Sequence, residues 1–157
     1  MFRKFLLKLW RDVPFTRRMR YRMLWTLNQK FIVGVGVLIV DDEERVLLFQ
    51  HSYRTQYPWG LPSGWLKRGE TPMDAIVREV YEESGYRVKV LQPFEINTGI
   101  HDLPNLHLVF LGELLDGAAF RPSAEVVAAR FFSREELPRL IPDQQAIIAH
   151  YFAAKSS

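Results

Sequence analysis

The stretch Gly64–Tyr86, GWLKRGETPMDAIVREVYEESGY, decides how this chain is read. Thr71 is a good N-cap, Pro72 suits the first helical position, and Asp74 completes a box-like cap. Gly85 is a natural residue just past a helix end. The spacing therefore predicts a helix over about 72–84. At roughly 100° per residue, Met73, Ile76, Val77 and Val80 make one apolar stripe. Glu79, Glu82 and Glu83 fall within an arc of roughly 100° to one side of it, and Arg78 stands directly before the first of them.

Glutamates on a helix are usually a solvated face. Here two costs weigh against that. Like charges three and four residues apart repel by a few tenths of a kcal/mol per pair. All three also lie in the C-terminal half of the helix, where the macrodipole disfavours an anion by about 0.3–1 kcal/mol near the last turn. A bound divalent cation reverses both penalties. Carboxylate ligands without histidine or cysteine suit Mg²⁺, with Mn²⁺ as a substitute, rather than zinc. Mg²⁺ held by few protein ligands keeps waters and takes substrate phosphates, which points to phosphoryl chemistry. Arg78 would orient a glutamate by a charge-assisted hydrogen bond, and one carboxylate would serve as general base.

Around this helix the chain reads as one α/β domain with an N-terminal extension. Its 157 residues suffice for a full hydrophobic core. The absence of cysteine excludes disulfides, thiolate catalysis and cysteine–zinc sites. No apolar run reaches membrane-spanning length, no signal peptide is evident, and the expected location is cytoplasmic. Residues 1–30 hold nine Lys/Arg and one acid, a net +8, so the total of +3 leaves −5 for the rest. Helices are expected over residues 1–12 and over Thr16 to Asn28. Two readings of this extension stand. It is a helical surface segment packed on its own domain or on a second copy of the chain, the preferred reading, or a basic arm on an anionic membrane or RNA.

Phe31–Val40 is a β-branched run and reads as a buried strand, with Arg45–Gln50 as its hairpin partner across an acidic turn. Gly34 and Gly36 do not make a phosphate loop, because no helix comes after them; they mark a bulge or close packing. Ser52–Gly69 is a long loop carrying Tyr53, Arg54, Tyr57, Trp59 and Trp65, residues suited to stacking a base and holding phosphate or, equally, to packing over the core edge. Strands are expected over Arg87–Gly99 and Leu106–Leu115, joined by a turn at 101–105 that carries His101, and over Ala129–Phe132. Ser133 with Glu136 forms a capping box for a short helix, and Asp143–Phe152 is a last helix with Ile147, Ile148 and Tyr151 inward.

Gly64, five residues, Glu70, seven residues, Arg78-Glu79-Val80-Tyr81-Glu82-Glu83-Ser84-Gly85-Tyr86 resembles the Nudix box, G-x5-E-x7-R-E-U-x-E-E-x-G-U, at all seven fixed positions. Tyr86 replaces the usual aliphatic at the last position. The paired strands, WGLPSG before the helix and AEVVAARFFSREELP after it extend the resemblance to about residues 31–152. The resemblance implies an α/β/α sandwich with a central mixed β-sheet, and residues 31–157 as the hydrolase domain. It implies Mg²⁺-dependent hydrolysis of a pyrophosphate bond in a nucleoside diphosphate linked to another moiety. Glu79, Glu82 and Glu83 would be metal ligands, with Glu79 alternatively the base, and Arg78 would orient Glu79. Ser63 would add its main-chain carbonyl, and Glu70 and Gly64 would support the loop. Glu125 resembles the extra acid that a later loop contributes; the other reading is a surface glutamate. Tyr53, Arg54 and Trp59 are the expected substrate contacts. The segment HSYRTQYPWGLPSG resembles the ADP-ribose or nucleotide-sugar group; a nucleoside triphosphate pyrophosphatase is the alternative enzyme, and a nucleotide- or RNA-binding module the alternative of another class.

Overall fold

The computed structural model describes residues 16–98, 104–115, 117 and 119–155. The helix expected over residues 1–12 and the candidate His101 lie outside them. The chain divides into two compact units, Met1–Lys30 and Phe31–Ser157.

In the first unit, α1 spans Arg17–Leu27, and Thr16 caps it by accepting from the Met19 N–H at 3.3 Å. None of its residues is buried. Trp25 is covered on one side by the Lys30 ammonium, 4.6 Å from its ring centroid, yet stays 69% exposed.

The second unit has seven strands: β1 Ile32–Ile39, β2 Val46–His51, β3 Trp59–Gly60, β4 Ser63–Trp65, β5 Val88–Thr98, β6 Asn105–Leu114 and β7 Val126–Phe132. They form a mixed four-stranded sheet, β4-β1-β6-β5, in which β1 and β6 run parallel, and an antiparallel three-stranded sheet, β3-β2-β7. The helices are α2, Pro72–Ser84, and α3, Pro142–Lys155, with one 3₁₀ turn at Arg134–Glu136.

Alternation along the strands explains the layers. Val35, Val37 and Ile39 of β1 and Leu47 and Phe49 of β2 join Ala75, Ile76 and Val80 of α2 in one cluster. Leu38 of β1 and Val46 and Leu48 of β2 join Ile147, Ile148 and Phe152 of α3 in the other. Both strands are thus covered on both faces, which is why they read as continuous apolar runs rather than alternating ones. The outcome is the expected α/β/α arrangement with a mixed sheet.

Some expectations need correction. β1 and β2 are not a hairpin within one sheet: only the bridge Val40–Val46 joins them, and each strand takes different neighbours. The Asp41 carboxylate closes the turn between them by accepting from the Arg45 N–H at 2.9 Å and its side chain at 2.8 Å. The long loop holds two short strands, β3 and β4. Ser133 makes no side-chain cap, and the three residues after it form a single 3₁₀ turn. Phe152 rather than Tyr151 is the buried aromatic of α3. Helix α2 has the predicted limits and the predicted caps, including Gly85 in the left-handed region at φ 72°. Its buried face differs, however. Met73 and Val77 are exposed, and Ala75, Ile76, Val80, Glu83 and Ser84 are buried.

Candidate active site

Arg78 is the organising side chain. Its guanidinium takes Glu70 through two bonds, Nε to Oε2 at 3.0 Å and Nη2 to Oε1 at 2.8 Å. It also donates to the Trp65 carbonyl at 3.2 Å, and lies 2.7 Å from Glu79 and 3.2 Å from Glu82. The same Glu70 carboxylate accepts from the Lys67 N–H. A planar five-donor fork suits this sharing better than a lysine would. The Arg78 hydrogen bonds hold the Glu70 carboxyl down to about 2, with the Lys67 N–H and the surrounding positive charge adding to the effect. The same pairing raises the Arg78 pKa, so the clamp stays charged. Through Glu70 and the Trp65 carbonyl, Arg78 bonds to the loop, and through Glu79 and Glu82 to the carboxylates of its own helix.

Glycine at 64 is a packing requirement. A methyl group there would lie 2.2 Å from Glu79 Cγ. The Glu79 side chain passes over that position and receives the Trp65 N–H at 3.4 Å. The loop main chain and helix α2 are thus in contact across a gap that only glycine leaves open.

Glu83 is 8% exposed, and its Oε2 is buried with no hydrogen-bond partner. Burial, then the neighbouring charges of Glu79 and Glu125, push its carboxyl up to about 7. A lone carboxylate sunk in an apolar face normally finds a donor. This one faces two further acids and a cavity of about 500 Å³. An orphaned buried oxygen beside like charges fits a divalent cation. Among the described residues no three His, Cys, Asp or Glu already stand together as a ligand cluster. Arg78 and, at 3.8 Å, Lys67 draw Glu82 outward, and Glu82 is exposed.

Glu79, Glu83, Ser63, Gly64, Tyr53 and Arg54 all line that cavity, and Glu125 joins them from the loop before β7. Glu125 is held by its main chain: its carbonyl accepts from the Ser52 N–H at 2.8 Å, and its N–H reaches Ser123 Oγ at 3.3 Å. That ties the acid to the segment carrying Tyr53 and Arg54. Arg54 lies against Gly60, where a methyl would come within 2.9 Å of its Nη1. Trp59 is not in the lining. It packs edge-on against Phe132, ring centroids 4.9 Å apart, so the expected substrate contact is a core side chain here. Sequence reasoning misses Asn97, Asn105, His107, Asp143 and Gln144, which also line the cavity. The polar–apolar alternation of Asn105-Leu106-His107-Leu108 is the available signal, because polar residues at every second position of an interior strand imply a wet face.

The family model of the NUDIX domain matches residues 30–153. The chain belongs to the Nudix family. As a member it is a pyrophosphohydrolase, and Nudix hydrolases in general need divalent metal. Among curated relatives, the ADP-ribose pyrophosphatase of Methanocaldococcus jannaschii is 29% identical over 126 residues, 79% of this chain and 75% of that one. The NAD-capped RNA hydrolase NudC of Vibrio parahaemolyticus is 28% identical over 117 residues, and the match spans 74% of this chain but 45% of that protein. A Nudix hydrolase structure from Nitrosomonas europaea superposes with a TM-score of 0.72 at 25% identity, covering 82% of this chain and 74% of that one. Among the described residues no helix is long and apolar enough to cross a membrane.

Proposed function

We propose that this Nudix enzyme hydrolyses ADP-ribose, or a closely similar nucleoside diphosphate joined to a sugar, with Mg²⁺ as the working metal. The observation that carries the chemistry is the buried, unpartnered Glu83 oxygen beside Glu79 and Glu125 in a cavity of nucleotide size. The likeness to an ADP-ribose pyrophosphatase over 75% of its length supports the substrate.

In this reading Glu79, Glu83 and the Ser63 carbonyl would hold the metal, and Mn²⁺ would be able to substitute. Glu82, which does not line the cavity in this structure, would join them by leaving Arg78 and Lys67. When bound, such a cation neutralises phosphate oxygens and lowers the pKa of an attacking water. The chain's own groups do the rest. Arg78 is saturated by Glu70, Trp65 and the glutamates, so it positions them and does not reach substrate. Arg54 is the cationic side chain that meets the pyrophosphate in the cavity. Glu125, fixed by Ser52 and Ser123, or Glu79, takes the proton of the water. The water oxygen bonds to phosphorus, the bridging P–O bond breaks, and AMP and ribose 5-phosphate leave. Residues 31–157 are the catalytic domain, and residues 1–30 an extension that serves as a surface helix, on its own chain or on a second copy, in preference to a basic arm on an anionic membrane or RNA.

The test is turnover of ADP-ribose, UDP-glucose and GTP with Mg²⁺, read as AMP, UMP or GMP release. ADP-ribose should exceed GTP in kcat/KM by at least about tenfold, and Glu83→Gln should remove the activity. Faster GTP hydrolysis would overturn the substrate while leaving the family chemistry standing.

A further inference from the structure

Trp65, Asn97, Asn105 and His107 bring the four-stranded sheet into the cavity lining. Pairing places Trp65 opposite Gly34, Gly34 opposite His107, and His107 opposite Asn97, so these four residues form one row across β4, β1, β6 and β5. Residues opposite one another on neighbouring strands share a face. Gly34 leaves the floor of this row open, and the His107 ring lies across it: a methyl at Gly34 would sit 2.7 Å from His107 Cε1. The Trp65 and His107 rings are 6.1 Å apart. Two residues before His107 on the same face stands Asn105. It is 7% exposed, lines the cavity, and its Oδ1 is buried with no partner. A buried amide without a partner is costly unless something bonds to it.

We propose that this row is the nucleobase subsite, that Trp65 and His107 stack the base, and that the Asn105 amide, with Asn97 beside it, reads an adenine edge. An amide offers one donor and one acceptor side by side, the pattern that matches adenine N7 and its exocyclic amine; guanine presents two acceptors, N7 and O6, at that edge and does not reproduce it. The geometry also links recognition to chemistry. Trp65 carries the ring of the platform on the same residue whose N–H meets Glu79 and whose carbonyl meets Arg78. The base and the reacting phosphates are therefore indexed by one loop residue. The inference names the base for the site described under the proposed function and rests on that reading for the position of the phosphates.

Binding separates it from turnover. AMP and GMP are titrated calorimetrically, in magnesium buffer, into the full chain and into Asn105→Leu, Asn97→Leu and Trp65→Ala. The wild type should prefer AMP by about tenfold. Asn105→Leu should weaken AMP about tenfold and GMP less than twofold, so that the preference disappears, with a smaller change of the same kind for Asn97→Leu. Trp65→Ala should weaken both nucleotides alike, because stacking accepts any base. Equal affinity of the wild type for AMP and GMP, or equal losses for both in the asparagine variants, overturns the proposal. Should Asn105→Leu fail to fold, the Asn97→Leu ratio decides in the same way. A strong AMP preference without ADP-ribose turnover would sink the substrate and keep this inference; equal turnover of ADP-ribose and GDP-mannose with no AMP preference would sink this inference alone.

Discussion

Glu83 shows how one side chain can be a structural fault and a functional asset. It stands about 20° around the helix from Ile76, so it belongs to the buried face rather than beside it. With its carboxyl pushed up to about 7 from 4.5, the folded chain holds a proton there that the unfolded chain has lost. Stability linked to this group is therefore full below about pH 4.5 and declines as pH rises toward 7. Glu83→Gln keeps the shape and removes the charge. Its Tm should exceed the wild type's by on the order of 5 °C at pH 8 and match it at pH 4, by calorimetry without added metal. Added Mg²⁺ should raise the wild-type Tm and leave the variant nearly unmoved; an equal rise in both would remove Glu83 from the metal site. Gly64→Ala acts on a neighbour. The new methyl would meet the Glu79 side chain at 2.2 Å, and the glutamate must swing away. A misplacement of about 1 Å costs on the order of 100-fold in rate. We expect a loss of that size in kcat with little change in KM for the nucleotide.

At the scale of elements, the loop before α2 and the helix itself are one device, joined by Arg78. Glu70 lies eight residues before it, and Trp65 thirteen, so the clamp staples the loop to the helix. Arg78→Lys keeps the charge and forfeits the fork. It should lower kcat/KM by about 10–100-fold and cut Tm by several degrees, whereas a purely electrostatic role would leave both nearly intact. This device is legible in the sequence, because its parts sit at fixed spacing within 23 residues and the caps of α2 are local. The hairpin expected of β1 and β2 has a different origin. Two adjacent apolar strands satisfy any local pairing rule, and only the parallel partner β6, far along the chain, shows that β1 belongs to another sheet. Gly34 reads as a bulge or close packing, and His107 proves to be the packed group, yet nothing local names it. Trp59 misleads for the reverse reason. An aromatic in a functional loop looks available, but its strand pairing with Gln50 turns the ring onto Phe132.

For the whole molecule, two buried groups pull stability in opposite directions with pH. His51 is 3% exposed, neither ring nitrogen has a partner, and burial, then the Arg54 charge, depress it to about 4 from 6.5. Its contribution is full above about pH 6.5 and is lost as pH falls through 4. Glu83 loses stability over much of the same window as pH rises. The two slopes oppose between about pH 4.5 and 6.5, so the wild-type Tm should be nearly flat there and fall below it, where Glu70 of the unfolded chain takes up a proton before the folded one, held at about 2, does. In Glu83→Gln the His51 slope should emerge, with Tm rising from pH 4.5 to 6.5; a flat variant curve would contradict the His51 assignment. Neither group lies in residues 1–30, and the two hydrophobic clusters draw all their buried members from Val35 to Phe152. Helix α1 buries none of its residues, although it carries exposed Tyr21, Trp25 and Leu27 among four arginines. A chain beginning at residue 31 retains both hydrophobic clusters and all the residues lining the cavity, so it should keep ADP-ribose turnover within about twofold and Tm within a few degrees. What the truncation should change is surface binding. Full-length protein should co-sediment with phosphatidylserine vesicles at low salt more than the truncated chain does, and 0.5 M salt should abolish the difference, because a basic segment's attraction decays within a Debye length. Equal sedimentation of the two chains at low salt would leave the extension as an ordinary surface helix.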